Sequence, residues 1–125
     1  MRAELKRLHC PDINDLSGYA PQEADNFGFL LQAMIGPAGQ EGEEAFDILV
    51  WTPAWLQRKY TATEIILGRH YLIVFRYDYQ DLTSYIATFA EQCTGESWRD
   101  VAQQLSRLGK WEFEDYREYT VVESS

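Results

Sequence analysis

Residues 27–51 read FGFLLQAMIGPAGQEGEEAFDILVW, and the architecture of the chain follows from this stretch. Apolar side chains recur at every second position in its first part, which is the period of a β-strand: Phe27, Phe29, Leu31, Ala33 and Ile35. The intervening positions are also largely apolar, so we predict a central strand. Residues 36–44 contain three glycines and one proline and predict a hairpin loop. The return strand follows, with Phe46, Ile48 and Val50 on one face.

Further strands are predicted on both sides of this hairpin. Residues 3–9 have the pattern of a short edge strand, which Pro11 ends because proline cannot donate to a ladder. Residues 12–25 indicate a long surface loop. Thr52 and Pro53 predict the start of a short helix that reaches residue 60. Residues 65–67 and 71–75, interrupted by Gly68 and Arg69, predict another buried strand.

The second half of the chain predicts helices. Asp78 can cap a helix whose apolar residues recur at spacings of three and four: Tyr79, Leu82, Ile86, Phe89 and Cys93. Ser97 with Asp100 indicates the start of a second helix, and Gly109 its end. Residues 110–119 fit a strand or an irregular tail. We therefore predict one α+β domain over residues 1–125, with a mainly antiparallel sheet of four or five strands covered by C-terminal helices.

Charge limits the classes of ligand. The chain has 125 residues and a net charge of −9, which disfavours nucleic acids and anionic membranes as partners. Residues 8–57 contain eight acidic residues and no Lys or Arg, so most of the excess lies there. The first residues carry charges where a signal peptide needs an apolar run, and no apolar stretch approaches ~18 residues. We expect a cytoplasmic location.

Catalytic and metal-binding patterns are weak. Cys10, His70 and Cys93 lack the paired spacing of a zinc site, and Cys93 falls on the apolar stripe of its helix. The glycine-rich residues 36–42 lack the Lys-Ser/Thr ending of a phosphate loop. We therefore predict no catalytic site, no metal and no cofactor.

Acidic and aromatic residues together point to protein binding. Carboxylates on an inhibitor can occupy the places of substrate phosphates and steer association with a basic surface, while aromatic side chains supply buried contacts. Two segments combine these residue types, the hairpin loop and the region that begins at residue 111. The predicted contact residues are Glu41, Glu43, Glu44, Trp111, Glu112, Glu114 and Asp115.

Short runs spread over nearly the whole chain also carry a family resemblance: 9–13 (HCPDI), 26–29 (NFGF), 35–37 (IGP) with 41–44 (EGEE), 52–56 (TPAWL), 68–70 (GRH) and 111–113 (WEF). In these runs the chain resembles the immunity protein 8 family of bacterial polymorphic toxin systems. It departs from the expected pattern at Cys10 and Ala54, where Ser and Lys are the expected residues.

The resemblance implies an α+β cytoplasmic protein that is encoded beside a toxin gene, binds the toxin domain and protects the producing cell. The acidity then favours a basic target such as a nuclease. Two alternatives remain open at this stage. One is a small enzyme or ligand-binding domain that uses the Cys10/His70 region or the terminal carboxylates, and the other is a structural subunit that pairs through a sheet edge.

Overall fold

A long hairpin forms the centre of the sheet. The computed structural model describes residues 1–113. In it, strand β2 (Gly28–Pro37) pairs antiparallel with β3 (Glu44–Trp51), so that Phe29 lies opposite Val50 and Ile35 opposite Glu44. Strand β1 (Ala3–His9) pairs antiparallel with the other edge of β2. The predicted edge strand, central strand and hairpin loop are confirmed.

Two short strands share the second edge of β3. Strand β4 (Tyr71–Ile73) is parallel to β3, and β5 (Lys110–Trp111) is antiparallel to it. The predicted α+β class and the mainly antiparallel sheet of four or five strands are confirmed, and the parallel β3–β4 pair makes the five-stranded sheet mixed. The cause is helix α1 (Pro53–Lys59), because a helical crossover between two strands returns the chain in the same direction. The helix between the two predicted strands was the sequence signal for this parallel pair.

The predicted buried strand over residues 65–67 and 71–75 is wrong in most of its length. Only three residues form β4, and none of them is buried. The chain turns just before β4, where His70 has a φ of 69°. Ile65 is fully exposed, and Leu67 and Phe75 are 84% and 76% exposed. A short apolar run does not show whether its side chains face a core or the surface.

Helices α2 (Tyr79–Glu91) and α3 (Trp98–Leu105) begin at the predicted N-caps. The Asp78 side chain accepts from the Asp81 amide at 2.9 Å, and the Ser97 hydroxyl accepts from the Asp100 amide at 3.2 Å. Their apolar stripes join the inward faces of β2 and β3 in one core, to which α2 and α3 contribute Leu82, Ile86, Ala90, Val101, Ala102 and Leu105. Burial of one such large side chain stabilises the fold by roughly 1.5–3 kcal/mol.

Gly109 does not end α3, which was the predicted role. The helix ends at Leu105, and Gly109 lies buried beside β3. A Cβ atom at this position would stand 2.9 Å from Cγ1 of Ile48 and 3.1 Å from the carbonyl oxygen of Asp47. A glycine is therefore required for the chain to approach β3 closely enough to form β5.

Candidate functional site

The acidic hairpin presents its three carboxylates in three different environments. Glu41 lies in the loop between β2 and β3 and is exposed. Glu43 is part-buried, and its Oε1 accepts from Nε of Arg7 on β1 at 2.8 Å. Glu44 begins β3 and is part-buried. Of these three carboxylates, only Glu41 is exposed and has no hydrogen bond or ion pair to another residue in the described part of the chain.

Glu44 joins three elements. Its Oε1 accepts the indole N–H of Trp98 on α3 at 2.5 Å and the indole N–H of Trp111 on β5 at 3.1 Å. A charged acceptor makes each of these bonds stronger than a neutral pair would be. The carboxylate thus fastens the base of the hairpin to a helix and to a strand that are more than 50 residues away in the sequence.

Trp111 is part of the core. It is 5% exposed, lies opposite Phe46 in the β3–β5 pair and stacks on that ring with centroids 6.3 Å apart. The ring centroid of Phe113 lies 5.6 Å from that of Trp111, and the two rings meet edge to face. The indole of Trp111 therefore holds β5 in place and offers little surface for an intermolecular contact. Glu112, the next residue, is exposed.

The fold brings together the two segments that the sequence predicted as contact regions, the hairpin loop and the region that begins at residue 111. Hydrogen bonding between Glu44 and Trp111 places the hairpin and the start of the terminal acidic region at one end of the sheet. A cavity of about 280 Å³ lies there between the hairpin and α3, and its lining includes Glu41, Glu43 and Trp98. Glu114 and Asp115, also predicted contacts, lie outside the described residues.

A family model described as Immunity protein 8 matches residues 3–116, which is most of the chain. The chain belongs to the immunity protein 8 family. The match includes both acidic segments as well as the strands and helices that position them. No curated protein and no solved structure matches the chain.

Of the residues proposed for an alternative enzyme site, Cys10 and His70 do not meet in this immunity protein 8 family member. Cys10 follows β1 and His70 precedes β4, and these strands are the opposite ends of the order β1-β2-β3-β4. Three interstrand spacings of ~4.8 Å separate them. His70 Nε2 donates to the carbonyl oxygen of Ser106 at 2.7 Å, and Cys10 is 3% exposed. No Cys–His pair of the kind that activates a nucleophile is present within residues 1–113.

Cys93 is a structural thiol, as its position on the helix stripe predicted. It is 4% exposed, and its Sγ donates to the carbonyl oxygen of Phe89 at 3.3 Å. Burial raises the pKa of this thiol, which keeps it protonated. Among residues 1–113 no cluster of three His, Cys, Asp or Glu side chains is arranged to hold a metal ion, and no helix is long and apolar enough to cross a membrane.

A basic patch lies at the end of β2 that is far from the acidic hairpin. Arg58 and Lys59 lie over the ring of Trp55, at 5.9 and 4.7 Å from its centroid. Gly28 makes room for this ring, because a Cβ there would stand 2.2 Å from Cδ1 of Trp55. The cations of the last turn of α1 are thus held near the opposite end of the sheet from Glu41.

Sequence reasoning missed an open apolar groove at the β4 edge. The groove has a volume of about 380 Å³ and lies between β4 and the first turns of α2. Exposed apolar side chains surround it, including Ile73, Phe75 and Tyr85, which are 42%, 76% and 56% exposed. The signal for it was present in residues 65–75, whose apolar character predicted burial that the fold does not provide.

Proposed function

We propose that this chain is the immunity partner of a toxin domain in a bacterial polymorphic toxin system and that it acts as a stoichiometric inhibitor. Membership of the immunity protein 8 family supports a protein partner and an inhibitory, non-enzymatic role. The proposed location is the cytoplasm of the producing cell, where the toxin must be neutralised.

The proposed inhibitory surface is the hairpin end of the sheet, and the junction at Glu44 is the observation that supports it. Because Glu44 holds both Trp98 and Trp111, the hairpin and β5 are fixed relative to each other before any partner arrives. A surface that is already ordered loses less conformational entropy on binding. Glu41 and Glu112 are its exposed carboxylates, and Glu43 contributes charge beside Arg7.

The residues of this surface have two roles in the proposal. Glu41, Glu43 and Glu112 face the toxin, whereas Glu44 and Trp111 act indirectly by positioning them. Glu114 and Asp115 extend the same acidic segment in sequence and remain proposed contacts. We further propose a nuclease as the target, because surfaces that bind phosphates are basic and an acidic surface can cover them.

Charge reversal at the exposed positions tests the surface. We expect Glu41→Lys combined with Glu112→Lys to lower the association rate constant for the toxin domain encoded by the adjacent gene by about tenfold or more at low salt, with a smaller change in dissociation. Added salt should slow association of the wild-type protein in the same way. Stopped-flow mixing measures both rates.

The matched control reverses two exposed carboxylates near the other end of the sheet, Asp12→Lys with Asp25→Lys, and changes net charge by the same amount. If both double variants associate equally slowly, overall charge steers the encounter and the hairpin surface is not the contact. If the wild-type protein forms no complex with the toxin domain and gives no protection on co-expression, the proposed function itself is wrong.

A further inference from the structure

The outer edge of β4 has unpaired backbone groups. The amide of Leu49 donates to the carbonyl oxygen of His70 at 2.9 Å, and the amide of Val74 donates to that of Trp51 at 3.1 Å. In a parallel ladder, successive residues of a strand point their backbone groups alternately toward and away from the neighbouring strand. In this register the amide and carbonyl of Ile73 point away from β3. Within residues 1–113 no group is hydrogen-bonded to the backbone of Ile73. The edge is therefore available for pairing with another strand.

The groove continues this edge on the core side of the sheet. Val50 and Leu72 are paired across β3 and β4 and line the groove from the sheet, while Leu82 and Tyr85 line it from α2. A strand added beside β4 would lie under the first turns of α2. Its alternate side chains would point into the groove, because successive residues of a strand face opposite sides of the sheet.

The exposed apolar area here is large enough to mark an interface. Three exposed apolar side chains line the groove, Ile73, Phe75 and Tyr85. From their exposed fractions they present on the order of 300 Å² of apolar surface. The largest apolar patch on a monomeric protein typically covers ~300–600 Å² and is often a functional site. A stable interface of standard size buries ~800 Å² on each partner, so this patch accounts for a part of one.

Backbone edge and charge together indicate the occupant. The outward amide and carbonyl of Ile73 are matched by the backbone of another polypeptide in extended conformation. A second copy of this chain is disfavoured because each copy carries a net charge of −9, so that association brings like charges together. A partner that is itself basic meets no such repulsion.

We propose that an extended apolar segment of the cognate toxin domain pairs with the outer edge of β4 and inserts one apolar side chain into the groove between β4 and α2. This inference rests on the proposed function for the identity of the partner. It adds a second contact surface at the β4 edge, where apolar burial and backbone pairing slow dissociation. The acidic hairpin, by contrast, acts mainly on association.

Hydrogen exchange of the Ile73 amide tests the backbone pairing directly. The probe is the toxin domain encoded by the adjacent gene, mixed with the full chain. We expect this amide to exchange rapidly in the free protein and to become at least tenfold slower in the complex. An amide that is equally slow in the free protein would overturn the proposal, because the edge would already be paired within the chain. An amide that stays fast in the complex would overturn it as well.

A pair of variants at one position separates backbone pairing from side-chain contact. Ile73→Pro removes the outward donor without breaking the bonds to β3, whereas Ile73→Val keeps the donor, the β-branched shape and most of the apolar surface. We expect Ile73→Pro to raise the dissociation rate constant at least tenfold and Ile73→Val to change it less than threefold. Circular dichroism of both free variants checks that they fold.

The outcomes distinguish the two proposals. If the wild-type protein binds the toxin domain and Ile73→Pro dissociates no faster, the edge is not used although the proposed function holds. If the wild-type protein does not bind, the proposed function fails first. If sedimentation shows that the free wild-type protein is a dimer and Ile73→Pro a monomer, the edge pairs two copies of this chain and the assignment to the toxin is overturned.

Discussion

Removal of the Glu44 carboxylate should destabilise the fold far more than removal of any other hairpin carboxylate. In Glu44→Ala the indole N–H of Trp111, a residue that is 5% exposed, loses its acceptor at a buried position. An unsatisfied buried donor costs about 1–3 kcal/mol. The part-buried indole of Trp98 adds about 0.5–1.5 kcal/mol for its lost hydrogen bond. We therefore expect a loss of about 2–4 kcal/mol in the free energy of unfolding.

Urea unfolding followed by tryptophan fluorescence measures this loss, and thermal unfolding should show Tm lower by about 10 °C. Glu44→Gln keeps an oxygen that can accept from both indoles, so we expect a smaller loss of about 0.5–1.5 kcal/mol. The matched control is Glu41→Ala in the same hairpin, whose exposed carboxylate should contribute less than about 0.5 kcal/mol.

A double-mutant cycle shows whether the two indole bonds cause the effect. Trp111→Phe removes the N–H and keeps an aromatic ring against Phe46, so Glu44→Ala should cost less in that background by about 1 kcal/mol or more. Equal losses in Glu44→Ala and Glu41→Ala, or fully additive effects in the cycle, would refute the idea that Glu44 fastens the hairpin to β5.

Three further predictions concern stability and reactivity. A Cβ at Gly36 would stand 1.9 Å from the carbonyl oxygen of Gly42, so Gly36→Ala should lower the free energy of unfolding by more than about 3 kcal/mol. Gly68 has open space around it, so Gly68→Ala should change the free energy of unfolding by less than about 1 kcal/mol. Urea unfolding compares the two variants. Burial raises the pKa of Tyr77 to about 12. Between about pH 10 and pH 12 the unfolded state therefore releases this proton while the folded state keeps it. The free energy of unfolding should fall by at most about 1.4 kcal/mol per pH unit over this range, and it should fall less steeply in Tyr77→Phe. The thiol of Cys93 should react with a disulfide reagent only at the rate of unfolding, and rapid modification of the folded protein would contradict its burial.

Local patterns in the sequence predicted most of the elements. Period-two alternation located β2 and β3, and the side chains of Thr52, Asp78 and Ser97 marked the starts of all three described helices. These features depend on a few neighbouring residues, so they can be read without knowledge of the rest of the chain. The same reading was wrong for residues 65–67, because their burial depends on which element covers them, and none in the described chain does.

For the predicted contact residues, too, the local sequence indicated some properties and only the fold decided the others. Their acidity is a property of composition, and it was sufficient to predict a protein-binding surface at the hairpin. Composition could not show that Glu44 accepts hydrogen bonds from two indole N–H groups, because Trp98 and Trp111 lie 54 and 67 residues further along the chain. Nor could it show that Trp111 is buried rather than available to a partner.

Neighbouring residues therefore determine strand alternation, helix caps and local charge. These patterns predicted the class of the fold, its hairpin and its acidic segments. The parallel pairing of β4, the attachment of β5 through Glu44 and the open groove beneath α2 depend on contacts between distant segments. Such contacts arise when the whole chain buries its apolar surface, and no local pattern shows which edge of the sheet that burial leaves exposed.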